Sequence, residues 1–112
     1  MHKHIEWDDP GNASVLEHFK NNPDYRPPYP GAVLSARYMG KIVRVKVEAY
    51  REEDAVSIGS VAAILNQYGA HVQSHQKLDI GDMVRLPDDK RAMEHWKEKE
   101  KEEKEKDEKE AD

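Results

Sequence analysis

A mainly β domain, either a small partly open barrel or a bent antiparallel sheet, is the fold class this sequence predicts. Three observations lead there. Residues Val33 to Tyr50 alternate apolar and polar side chains with period two about a Met39-Gly40 centre. Turn-forming residues then recur at short, regular intervals as far as Asp89. The stretch from Lys97 to Asp112 carries a single apolar residue, Ala111, so the folding part is confined to about Met1 to Trp96.

The chain begins with an irregular arm, Met1 to Gly11, closed by Asp9-Pro10-Gly11. Ser14 followed by Glu17 forms a capping box, which opens a short helix over about Val15 to Asn21. Pro23 halts it. The segment Pro23 to Gly31 (Pro-Asp-Tyr-Arg-Pro-Pro-Tyr-Pro-Gly) reads as extended, stiff and polyproline-like. Arm, helix and Pro/Tyr linker together make up residues 1–31.

The β domain occupies residues 32–88. A two-residue loop at Met39-Gly40 pairs Tyr38 with Lys41, Ala36 with Val43 and Leu34 with Val45. Leu34, Ala36, Val43, Val45 and Val47 then share one face, while Ser35, Arg37, Arg44 and Lys46 share the other. After the polar turn Arg51 to Asp54 comes an ambiguous segment, Ala55 to Asn66. As a strand it alternates Val61, Ala63 and Leu65, with Gly59 as a bulge. As a helix over 61–68 it would start at Ser60 and close at Gly69, making the domain α+β. Ala62-Ala63 and the Ser/Gly punctuation favour the helix, Val56, Ile58, Val61 and the turn spacing favour the strand, and the balance tips to the strand.

Ala70 to Ser74 predicts a short strand with Ala70 and Val72 inward. Ile80-Gly81-Asp82 turns the chain into Met83 to Leu86, with Val84 and Leu86 inward. Residues 89–112 form the last region. A helix is expected from about Lys90, docked by Ala92, Met93 and Trp96 and continued as a charged helix or disordered tail. Its i,i+4 pairs, such as Glu100/Lys104, contribute only about 0.2–0.5 kcal/mol each.

The chain has 112 residues, a net charge of −5, no cysteine, and 37% each of hydrophobic and charged residues. The acidic balance argues against indiscriminate nucleic-acid binding, though it leaves room for a local basic patch. Without cysteine, disulfides and thiolate metal sites are excluded. No run approaches transmembrane length and the N-terminus lacks a signal-like apolar core, so the expected location is cytoplasmic, away from membranes.

From Gly69 to Leu86 the sequence Gly-Ala-His-Val-Gln-Ser-His-Gln-Lys-Leu-Asp-Ile-Gly-Asp-Met-Val-Arg-Leu resembles the middle of PilZ-type β-barrel domains. The resemblance spans eighteen positions and implies a small barrel. The cyclic-dinucleotide signature of that family, Asp/Asn-x-Ser-x-x-Gly, keeps only Gly69, with Asn66 in place of the serine, and the arginine arm is absent. The resemblance therefore implies a degenerate member that has lost nucleotide binding. Under the helical reading of 61–68, Ala62, Leu65, Gly69, Val72, Gly81-Asp82 and Val84 are similar to the second half of an S4-type RNA-binding motif.

The candidate binding residues follow from the hairpin and the linker. Arg37, Arg44 and Lys46, joined by Lys41 and Arg51, offer a basic surface for a phosphate backbone or an acidic partner. The plainer explanation is a solvated ribbon face. Tyr25, Arg26 and Tyr29 of the Pro/Tyr segment, with Trp7, are candidate partner contacts, although tyrosines in such segments commonly pack on their own domain. His2/His4 and His71/His75 are the close histidine pairs; neither has a third ligand at metal spacing, and no metal or cofactor is expected. No nucleophile elbow or triad spacing is present, so no catalytic residue is assigned.

The sequence thus points to a non-enzymatic binding or adaptor module acting through protein–protein contacts. The alternative is a small RNA- or DNA-binding barrel using the basic hairpin face. A degenerate cyclic-dinucleotide receptor is a remote third. The open edges of such a barrel allow homodimerisation through an edge strand.

Overall fold

A computed structural model describes residues 4–94 of the chain. It contains one short helix, α1 (Val15–Phe19), and seven strands: β1 (Val33–Tyr38), β2 (Lys41–Arg51), β3 (Val56–Leu65), β4 (His71–Val72), β5 (Ser74–His75), β6 (Leu78–Asp79) and β7 (Met83–Pro87). Five of these form one antiparallel sheet in the order β1-β2-β3-β4, with β7 also on β3; β5 and β6 form a separate ribbon. The sheet is mainly β as expected, and it does not close into a barrel.

The hairpin has the register its alternation dictates. Tyr38 pairs with Lys41, Ala36 with Val43 and Leu34 with Val45. The loop residues Met39 and Gly40 both have positive φ (48° and 86°), as a type I′ connection requires. Asp8 stabilises this loop from outside: its carboxylate accepts the amides of Met39 (3.0 Å) and Gly40 (2.9 Å).

Leu34, Ala36, Val43, Val45 and Val47 are all buried and pack with Val61, Ile64, Leu78, Val84 and Leu86. Burial of each such large aliphatic side chain contributes about 1.5–3 kcal/mol. Lys41, by its pairing with Tyr38, lies on this same face at the tip of the hairpin, opposite to Arg37 and Arg44.

Residues 56–65 are strand throughout, so the α+β alternative does not hold; 67–69 form the turn that follows. The β2–β3 register slips twice. Between the Val47–Gly59 and Ala49–Ile58 pairs the extra residue is Glu48, so Gly59 sits beside a bulge that belongs to β2. Between Arg44–Ala63 and Val45–Val61 the extra residue is Ala62. This second bulge reverses the facing of the strand end. Val61 and Ile64 enter the main core, whereas Ala63 and Leu65 turn to the other face and bury Ile42 there. The simple alternation of Val61, Ala63 and Leu65 is therefore corrected by one inserted residue.

Three further expectations need correction. The helix ends at Phe19, two residues earlier than predicted, although Ser14 Oγ does accept the Glu17 amide (3.3 Å). The strand expected over Ala70 to Ser74 is split: His71 and Val72 pair with β3, Ser74 and His75 with β6, and Ala70 is exposed. No helix starts at Lys90. Asp88–Lys90 is a single 3-10 turn, and Arg91 leaves it extended (φ −67°, ψ 137°). The charged stretch beyond, with Trp96, lies outside the described residues.

Both ends of the described chain cover the free edge of β1. The Asp8 amide donates to the Arg37 carbonyl (2.8 Å), and the Ala92 amide to the Ser35 carbonyl (2.8 Å). Trp7, 7% exposed, meets Tyr38 edge-on (6.2 Å, 73°) and donates its indole N–H to the Arg85 carbonyl of β7 (2.8 Å). One side chain thus links β1 to β7, two strands that do not pair with each other.

Candidate interaction surfaces

The basic hairpin residues do not assemble into one patch. Arg37, Arg44 and Lys46 share a face by register, while Lys41 lies on the opposite one. Arg51 is at the far end of β2, roughly 33 Å from Lys41 at about 3.3 Å per residue, where it pairs with Asp54 (3.4 Å).

Arg44, the central cation, is already engaged. Its Nε and Nη2 donate to the two carboxylate oxygens of Glu94 (2.7 and 2.8 Å), a bidentate arrangement. The Ser35 hydroxyl donates to the same carboxylate. Of the trio on that face, Arg37 is half-buried and Lys46 is exposed.

These contacts set the charge states. The hydrogen bond from Arg44, and secondarily that from Ser35, holds the Glu94 carboxyl below its ordinary range against the opposing effect of burial. The same hydrogen bond raises the Arg44 guanidinium. A carboxyl depressed on folding stabilises the folded state above its unfolded pKa, near 4.3 for Glu, and loses that contribution as pH falls through the lower folded value. The expected result is that Glu94→Gln melts lower than the unmodified protein at pH 6 and that the gap shrinks as pH is lowered from about 4 toward 3. Paired thermal melts across that range check it. A gap independent of pH would show that the ion pair contributes nothing.

A second polar contact lies at the other end of the sheet. The Tyr50 hydroxyl donates to Asp88 Oδ2 (2.6 Å). Burial, then this hydrogen bond, pushes the phenol far above its ordinary value, so it stays protonated as a donor. Tyr50 and Asp88 thereby fix the turn from which residues 91–94 depart.

The Pro/Tyr segment is ordered and partly packed down. Tyr25 is half-buried, its ring 5.9 Å from Phe19 and its hydroxyl accepting from Arg91 Nη1 (2.9 Å). Pro28 is buried, Arg26 is exposed, and Tyr29 is 62% exposed. The Gly31 amide donates to the Val47 carbonyl (2.8 Å), which ties the end of the segment to β2. Beside it Leu16, Phe19, Lys20, Asn22 and Tyr25 line an open groove of about 350 Å³. Trp7, by contrast, is committed to the core.

Asn66, at the position where the PilZ signature has its serine, is turned onto its own loop: its side-chain carbonyl accepts the amides of Tyr68 (2.9 Å) and Ala70 (3.1 Å). His75 Nε2 lies 2.9 Å from the Met39 carbonyl, and His71 belongs to a different strand pair. Among the described residues there is no group of three or more His, Cys, Asp or Glu able to hold a metal ion, and no helix long and apolar enough to cross a membrane.

Sequence reasoning named the cations and the tyrosines but missed Asp8, Asp88 and Glu94. Each acts on a partner at least thirty residues away, and no local pattern marks such a contact. Comparison with protein-family models, curated proteins and solved structures found no match for this chain, so its surfaces are interpreted from their own chemistry.

Proposed function

We propose that this domain is a non-catalytic protein-binding module whose contact surface is the Pro/Tyr segment and the groove beside it. The observation that supports this most is Tyr29: a large aromatic side chain, 62% exposed, carried on a segment held on both sides. Tyr25 is held through Phe19 and Arg91, Pro28 is buried, and Gly31 is tied to β2. A segment already ordered loses little conformational freedom on binding, and exposed tyrosines are frequent binding anchors. The basic hairpin face supports a contact role less, because Arg44 is neutralised by Glu94.

The test is affinity capture with the full chain and two variants. The expected result is a protein partner bound by the unmodified chain and by Lys46→Ala, and bound about tenfold or more weakly by Tyr29→Ala. Capture indifferent to Tyr29→Ala overturns the proposal. So does binding of random RNA that falls steeply with salt and with Lys46→Ala, the behaviour of a phosphate-binding face.

A further inference from the structure

Residues 91–94 form a strand-like strip with partners on both sides. On one side the Ala92 amide donates to the Ser35 carbonyl, and Arg91 bridges antiparallel to Ala36 on the β1 edge. On the other, the Met93 amide donates to the Ala13 carbonyl (2.8 Å) and the Arg91 carbonyl accepts the Val15 amide (3.1 Å). Ser14 bridges antiparallel to Ala92. At the end of the strip, Arg44 and Ser35 hold the Glu94 carboxylate.

We infer that this strip is the resident occupant of a strand-addition slot, and that an extended acidic peptide from a partner protein displaces it and binds in its place. The proposal adds a second contact surface to the module and does not depend on Tyr29.

Three features carry it. The strip is short and shallow: Ala92 is its one buried residue, and Arg91, Met93 and Glu94 are half-buried. Beyond its backbone bonds it is held by the partly exposed Arg44–Glu94 pair and the Arg91–Tyr25 hydrogen bond (2.9 Å). A short segment with so little buried apolar surface opens locally far more often than the sheet does. It can also leave without disturbing β7, because Asp88 stays anchored through Tyr50 and through its amide to the Ala55 carbonyl (2.9 Å).

Once vacated, the slot presents the β1 edge, the Ala13 carbonyl and the Val15 amide to a new backbone. It also frees a guanidinium placed for bidentate carboxylate recognition. Strand addition supplies affinity through the main chain, and side-chain positions supply selectivity. The register read from the resident strip asks for a small residue at the Ala92 position, one suited to a half-buried site next, then Asp or Glu.

Because the resident strip competes, apparent affinity is reduced by the fraction of molecules in which the slot is open. Weakening the strip therefore strengthens binding of an outside peptide. The probe is a fluorescein-labelled synthetic peptide copying residues 88–94, titrated by anisotropy against the full chain. The expected result is about tenfold or tighter binding to Glu94→Ala than to the unmodified protein. Adding Arg44→Ala abolishes that gain, and a peptide with Gln in place of the glutamate binds about tenfold more weakly.

No binding by a Glu94→Ala variant that still melts cooperatively overturns the proposal, as does equal binding of the Gln peptide. Formation of a strip-exchanged dimer without peptide binding also overturns it, because the occupant would then be a second copy. Amide exchange on the unmodified protein gives a check that needs no variant. Ala92 and Met93 are expected to exchange much faster than the paired amides of β2, and equal protection of the two sets overturns the proposal.

Discussion

Gly59→Ala is expected to destabilise the domain by about 3 kcal/mol, at the upper end of overpacking effects, and to lower the melting temperature by roughly 12–24 °C for a domain of this size. Gly59 has an ordinary strand backbone, so the reason is space. A Cβ there would lie 2.1 Å from the Lys46 carbonyl oxygen, 2.8 Å from its carbon and 3.0 Å from Val45 Cγ1. The first two atoms are backbone of the paired strand and cannot rotate away. Relief requires β2 and β3 to separate beside the Glu48 bulge, where β3 also carries β7 through the Gly59–Val84 pair. Ala62→Ser, on an exposed residue of the same strand, is the control and is expected to stay within about 0.5 kcal/mol. Thermal and denaturant melts of both variants decide the matter. A Gly59→Ala variant that melts with the unmodified protein would mean that the two backbones are not in close contact.

Part of the fold was legible in the sequence and part was not. The hairpin was legible because each of its constraints is local: period-two alternation, a two-residue loop, and two strands whose apolar faces agree on one register. Val43 and Val45 are buried and their neighbours Arg44 and Lys46 face outward, as that pattern requires. The Ser14–Glu17 cap was legible for the same reason.

The bulges were not. A glycine in a strand signals irregularity, but whether the extra residue falls at Gly59, Glu48 or Ala62 depends on how the partner strand is seated. Consequently Leu65, assigned by alternation to the face of Val61, is found on the opposite face with Ile42.

The end of the described chain carries the same lesson. Arg-Ala-Met-Glu at 91–94 consists of good helix formers, and local propensity favours a helix. The segment is extended because β1 offers an unpaired edge and residues 13–15 offer a second line of backbone partners. Tertiary hydrogen bonds and the Arg44–Glu94 pair outweigh a few tenths of a kcal/mol of propensity per residue. The candidate surfaces changed accordingly. Arg44 loses its availability to a residue fifty positions away, and Tyr29 gains importance because its neighbours, not it, are packed down.

Trp7→Ala is expected to have the largest effect of any single truncation, about 4 kcal/mol, within the range for removal of a buried large aromatic side chain. The indole does two things at once in a sheet that does not close on itself. Its ring packs edge-on beside Tyr38 in the core, and its N–H satisfies the Arg85 carbonyl of β7. Asp8, the next residue, donates its amide to the edge of β1 and holds the hairpin loop with its carboxylate.

Loss of the indole therefore loosens the arm from both edges. Native-state hydrogen exchange is expected to show amides of β1 and β7 losing protection together, although the two strands are not paired. Trp7→Phe separates the contributions: it keeps most of the ring packing and removes the donor, for an expected loss of about 1–2 kcal/mol. If Trp7→Ala costs less than about 1 kcal/mol, or if β7 keeps full protection while β1 opens, the arm is an ornament on one strand and does not tie the two edges together.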